Sequence, residues 1–187
     1  MALWIEGYAI VSADGMLADE HGVMPSCLLI DADQQFLSDG LDRASLIVHG
    51  RNSHEKQVKS PYRKRLITTR AVAGLLPAVE YPSALLWNPE SVSLEEASAE
   101  LGVVNGTVAV LGGTEVYGMF LGRYDVFNLS RIESVRLPRG RAVFPEVPDF
   151  APHEVLTKNG LAEASYRILD PALGVTLTVW RPLANDK

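Results

Sequence analysis

Three stretches of the sequence set donor-rich residues directly after short apolar runs. In Leu46-Ile-Val-His-Gly-Arg-Asn-Ser53, Gly50 lets backbone approach a ligand closely, and Arg51, Asn52 and Ser53 add hydrogen-bond donors ahead of an expected helix. In Val108-Ala-Val-Leu-Gly-Gly-Thr-Glu-Val-Tyr117, the adjacent Gly112 and Gly113 separate a buried strand from a helix. A diphosphate seated on that helix N-terminus would account for two residues so costly in chain entropy. In Lys64-Arg-Leu-Ile-Thr-Thr-Arg70, Thr69 and Arg70 follow another strand, where a planar guanidinium can grip a phosphomonoester. Taken singly, the first reads also as a plain strand–helix turn, the second as a tight packing contact and the third as a solvated charged edge. Three phosphate-suited strand ends in one sheet point to a dinucleotide with an extra phosphate, and hence to NADPH.

Other chemistries lack their residues. The sequence has no G-x-x-x-x-G-K-[ST] loop, no G-x-G-x-x-G fingerprint and no G-x-S-x-G elbow. His21, His49, His54 and His153 form no recognised zinc spacing, so no metal is expected. Cys27 opens the apolar run Cys-Leu-Leu-Ile and is expected to be a buried, inert thiol.

The elements that must position these residues alternate. Apolar runs predict strands at Gly7–Ser12, Leu46–Val48, Arg65–Thr69, Ala84–Trp87, Thr107–Leu111 and Asp125–Ile132. Helices are expected over Ala32–Gly40 with Asp31 as N-cap, from about Ser53, over Leu94–Leu101 behind Ser91 and Ser93, and over Thr114–Phe120. Leu17 to Pro25 reads as a polar loop. Ser165–Leu169 and Val175–Trp180 read as an antiparallel hairpin. The alternation predicts an α/β fold: a mainly parallel mixed sheet between helical layers, in one domain over residues 1–187. A net charge of −6 disfavours general nucleic-acid binding, and no apolar run approaches the ~20 residues of a membrane span. A lone cysteine and no signal-peptide pattern suggest a cytoplasmic protein.

From Gly7 to Trp180 the ordered motifs resemble dihydrofolate reductase and its relatives. They are Ala9-Ile-Val-Ser-Ala-Asp-Gly-Met-Leu-Ala18 with Met24-Pro25, Val48-His-Gly-Arg-Asn-Ser-His-Glu55, Leu66-Ile-Thr-Thr-Arg70 and Val110 to Tyr117, then Tyr124 to Ile132 and Phe144-Pro-Glu-Val-Pro148. The resemblance implies a three-layer α-β-α fold and an NADPH-dependent reductase that moves hydride to a C=N bond of a dihydrofolate-like pterin. It implies cofactor phosphates on Gly50, Arg51, Asn52 and Ser53, and the 2′-phosphate near Thr69 and Arg70. It also implies a cis Gly112–Gly113 bond, with Thr114, Glu115, Val116 and Tyr117 lining the diphosphate and nicotinamide. Ile10 and Leu17 would flank the nicotinamide under a lid from Met16 to Met24. On the substrate side it implies Asp31 as the acid, with Asp33 as the alternative, Ser130 supporting it, and Phe36 and Arg63 touching substrate.

The sequence also departs from that pattern. Ser26 stands where the family has tryptophan, Cys27 to Ile30 replace a polar turn, and Gly140-Arg141-Ala142 replaces Gly-Asp-Thr. These changes fall on the substrate side. Asp14 to Ala18 also looks like the riboflavin-biosynthesis reductase domain, which acts on a ribosylamino-pyrimidine phosphate. That sister family usually has glutamate before the glycine pair, where this chain has Leu111. Its substrate phosphate would call for Arg139 or Arg141. A nucleotide-binding module without turnover is the third reading, and the chain is expected to be a monomer or a homodimer.

Overall fold

The first strand runs further toward the N-terminus than its apolar core, from Leu3 to Ser12 (β1), in a computed structural model that describes residues 2–53 and 59–183. The remaining strands are β2 (Met16–Ala18), β3 (Leu46–Gly50), β4 (Arg65–Thr68), β5 (Leu75–Pro77), β6 (Ala84–Trp87), β7 (Gly106–Val110), β8 (Val126–Ile132), β9 (Arg141–Ala142), β10 (Leu161–Asp170) and β11 (Val175–Pro182). The helices are α1 (Asp31–Arg43), α2 (Leu94–Glu100), α3 (Thr114–Met119) and α4 (Pro152–Lys158). Among the described residues nine strands form one sheet in the order β10-β11-β8-β1-β7-β3-β4-β6-β5, and β2 pairs with β9 in a second. The six from β8 to β6 are mutually parallel; β5 and the β10–β11 hairpin are antiparallel.

Alternation along the strands sorts the core onto two faces. Ile5, Ala9, Val11, Leu46, Val48, Val108 and Val110 pack with Leu94, Ala97, Val116, Val155 and Leu156 from α2, α3 and α4. Tyr8, Ile47 and Ala109 point the other way, onto Leu41, Phe36 and Leu37 of α1. Helices on both faces of a mainly parallel sheet give the expected three-layer α-β-α fold. Gly7 is required here because a Cβ would overlap the Phe127 ring.

Several expectations are corrected. Asp31 does not cap α1: Ile30 is the N-cap, in extended conformation, and Asp31 is already helical. The helix continues through Gly40 to Arg43, because Gly40 is where the Tyr8 ring presses on it and a Cβ would collide with that ring. Cys27 is exposed: it sits on a single 3-10 turn, Ser26–Leu28, that spends its inward position on Leu28. Part of the expected lid is a strand, β2, and α4 and β9 were not expected at all. The helix expected from about Ser53, with His54 and Glu55 of its motif, falls largely outside the described residues. Among the described residues, no helix is long and apolar enough to cross a membrane.

Candidate functional site

Parallel pairing brings the ends of β1, β3, β4 and β7 to one edge of the sheet. β7 stays beside β1 only as far as the Gly7–Val110 pair, while β1 and β8 remain paired to Ser12–Ile132. From Tyr8 onward β1 therefore has an open side, a cleft of the kind in which ligands sit in open α/β sheets. The Tyr117 hydroxyl occupies its near end by donating to the Tyr8 carbonyl.

The first two glycine junctions meet here. Gly50 N–H donates to the Gly112 carbonyl at 2.6 Å, and a Cβ on Gly113 would lie 3.7 Å from Ser53 Oγ. The Gly112–Gly113 bond is cis and Gly112 has φ +83°, with the Tyr117 ring where a Cβ would go. The third junction adjoins them, since Thr68 pairs with Gly50 and Thr69 and Arg70 follow. Thr69 is buried, its hydroxyl accepting from Ala71 N–H at 3.1 Å; Arg70 is exposed and ion-paired to Glu90 at 2.8 Å. Arg51 and Asn52 are exposed, and Ser53 and Thr114 are half-buried. With the N–H groups of the first turn of α3, which have no partner within the helix, this donor set suits a polyanion such as a dinucleotide phosphate. Glu115 points to solvent, whereas Val116 and Tyr117 belong to the core, so their side chains support the site from behind.

The Met16–Met24 segment is tied down at its start. Met16 and Ala18 pair with Ala142 and Arg141, Met16 N–H donates to Ser12 Oγ at 3.0 Å, and Val143 N–H donates to the Gly15 carbonyl at 3.0 Å. Leu17 is half-buried against the main core, and Ile10 is buried with Leu28, Ile30, Ile132 and Val175 on the opposite face. Further along, Glu20 pairs with Arg139 at 3.0 Å, leaving Arg141 as the arginine there without an ion pair among the described residues.

On the substrate side the two candidate acids separate cleanly. Asp31 is exposed, whereas Asp33 is 6% exposed. Ile10, Ser130 and Leu177 lie opposite one another across β1, β8 and β11 and share the face that α1 covers. Asp33 descends from α1 onto that face and hydrogen-bonds Ser130. Burial pushes its carboxyl up to about 6, against a smaller opposing effect of the Ser130 bond. Phe36, one turn on, is half-buried, with the Arg167 guanidinium 5.1 Å above its ring.

Arg63 stands apart from this carboxyl. It pairs with Asp42 at 2.7 Å, and Asp42 also takes Lys59 at 2.5 Å. Those two cations, Lys59 first, hold the Asp42 carboxyl below its usual range. The groove they line, with Leu41, Tyr62 and Lys64, encloses about 480 Å³. Sequence reasoning missed two residues behind the Gly50 loop, His49 and Arg65. Arg65, the first residue of β4, is wholly buried and stacks 4.4 Å over the Tyr81 ring.

No protein-family model matches the chain, and no curated protein matches its sequence. The likeness is to solved structures. Dihydrofolate reductase from Enterococcus faecalis, complexed with NADP(H) and RAB-propyl, superposes with a TM-score of 0.65 at 16% identity, covering 95% of each chain. A diaminohydroxyphosphoribosylaminopyrimidine deaminase/5-amino-6-(5-phosphoribosylamino)uracil reductase from Thermotoga maritima gives 0.65 at 16% identity, over 96% of this chain and 56% of that one. A putative riboflavin biosynthesis protein from Shewanella sp. PV-4 gives 0.65 at 18% identity, over 97% of this chain and 98% of that one. The fold is thus the one shared by dihydrofolate reductase and the riboflavin-biosynthesis reductases.

Proposed function

We propose that the chain is an NADPH-dependent reductase acting on a C=N bond of a dihydrofolate-like pterin, with Asp33 as the acid in place of Asp31. The observation that carries this reading is the buried Asp33 carboxyl, supported by Ser130 and raised to about 6, beside the open stretch of β1. Reduction of an imine needs hydride at carbon and a proton at nitrogen. Bound NADPH supplies the hydride, and the protein supplies the rest. Gly50 to Ser53, Gly113, Thr114, Thr69 and Arg70 hold the phosphates; Ile10 and Leu17 confine the ring; Asp33 hydrogen-bonds the heterocycle and delivers the proton. A carboxyl in an apolar wall stays partly protonated near neutrality, as proton donation demands.

A second reading, the ribosylamino-pyrimidine phosphate of riboflavin biosynthesis, is favoured by the equal likeness to the Thermotoga and Shewanella structures. Arg139 and Arg141 are then the candidates for the substrate phosphate, the exposed ion pair of Arg139 with Glu20 being weak enough to be exchanged. The deciding experiment offers the pure protein NADPH with dihydrofolate and with the pyrimidine, and follows NADPH oxidation. Turnover of dihydrofolate is expected. Turnover of the pyrimidine alone would transfer the assignment to the second reading, and NADPH binding without turnover of either would leave a reductase of another substrate or a non-catalytic nucleotide-binding module.

A further inference from the structure

His49 and Arg65 lie fully buried at the base of the Gly50 loop and have no part in the reading above. The Arg65 guanidinium bridges the two ends of the segment that follows Gly50. One nitrogen is 3.2 Å from His49 Nε2, and another donates to the Ser60 carbonyl and, at 3.1 Å, to Ser60 Oγ. A guanidinium only donates, so His49 Nε2 must be the accepting nitrogen of a neutral ring. The proton is then on Nδ1, which lies 2.8 Å from the Gly50 carbonyl and donates to it. Ser53 N–H donates to the same carbonyl at 3.1 Å, and Gly50 N–H is taken by Gly112 at 2.6 Å. Across a trans peptide the C=O and the following N–H point in opposite directions. A Gly50 carbonyl held toward His49 therefore turns the Arg51 N–H to the opposite side, away from that ring.

We infer that Arg65, acting through the Nδ1–H tautomer of His49, is a positioning residue that orients the Gly50–Arg51 peptide toward the cofactor phosphates. This rests on the NADPH reading of that loop. Two variants separate the ring's two ends: His49→Asn keeps a donor near the Nδ1 position, while His49→Gln puts its amide at the Nε2 end and removes that donor.

The test measures NADP⁺ affinity by calorimetry, kcat at saturating NADPH, and the ¹⁵N signature of His49 at pH 7 in the unliganded wild type. His49→Gln should weaken NADP⁺ by about five- to tenfold, as loss of one neutral hydrogen bond implies. His49→Asn should bind close to wild type, kcat should be unchanged in both, and His49 should be neutral with its proton on Nδ1. Wild-type affinity in His49→Gln, or a proton on Nε2, overturns the inference while the cofactor reading stands. A wild type that does not bind NADP⁺ overturns the cofactor reading and the inference with it. Should His49→Gln fail to fold, the tautomer in the wild type still decides.

Discussion

At the residue scale the proposed chemistry turns on which of two aspartates two positions apart is buried. Asp31 and Asp33 are indistinguishable by type, and both fall at the start of a helix. What separates them is the rotation of α1 over Ser130 on β8, a contact spanning nearly a hundred residues that no local pattern encodes. The same holds for Cys27, whose apolar neighbours suggest burial while a single 3-10 turn exposes it. The raised carboxyl fixes two pH dependences. In the proposed role of proton donor Asp33 must be protonated, so kcat/KM should fall as pH rises above about 6, by about tenfold per unit. Asp33→Asn should flatten that profile and cut turnover by about a hundredfold or more.

Stability moves in the same direction. From the ordinary 3.8 to about 6 the folded chain keeps a proton that the unfolded chain has released. Stability is therefore lost as pH rises through that window, by up to ~3 kcal/mol, and stays lower above it. Asp33→Asn should be more stable than wild type at pH 7.5 and level with it at pH 4. Urea midpoints of both proteins at both pH values test this, and a constant difference would remove Asp33 as the titrating group. Gly112 poses a different demand: at φ +83°, with the Tyr117 ring against it, Gly112→Ala should lower stability by at least ~1 kcal/mol and abolish NADP⁺ binding, read by thermal melting and calorimetry.

At the element scale, local signals sufficed where an element carries its own punctuation. α2 begins at Leu94 behind Ser93, whose hydroxyl accepts from Glu96 N–H at 3.2 Å while the Glu96 carboxylate takes Ser93 N–H at 3.0 Å. The two serines marked the helix start, and the reciprocal pair with Glu96 shows that Ser93, not Ser91, is the cap. Ser93→Ala should cost ~1 kcal/mol, seen as a lower urea midpoint with an unchanged slope. Elements held only by distant partners were not legible. β9 is two residues long and exists because β2 lies beside it, and α4 is a seven-residue helix whose Val155 and Leu156 are too few to mark a period. α1 overran its expected end because Gly40, read as a stop, is instead the space that the Tyr8 ring needs.

At the scale of the whole molecule, strand order makes the site. β7 is inserted between β1 and β3, so the loops after β1, β3, β4 and β7 converge although their residues are spread from Asp14 to Tyr117. The motifs were readable singly, as glycines and donors after apolar runs; their convergence followed only from a parallel sheet, and their adjacency only from the crossover that places β7 next to β1. A ligand spanning these loops ties four central strands together, so its binding energy should appear as stability of the entire fold. At a hundredfold excess over Kd, NADPH should stabilise the protein by ~2.7 kcal/mol, which raises the melting temperature of a chain this long by about 5–10 °C.

NADH at the same concentration should do far less, because the proposed reading places the 2′-phosphate on Arg70, exposed just past the end of β4. Its ion pair with Glu90 is solvent-exposed and weak enough to be exchanged for a phosphomonoester. Removing one charged contact costs ~1.5–3 kcal/mol, so Arg70→Ala should bring the NADPH shift down to that of NADH and leave the NADH shift unchanged. An equal loss with both cofactors would place the 2′-phosphate elsewhere, and equal shifts in the wild type would mean that the strand ends recognise a dinucleotide without its extra phosphate.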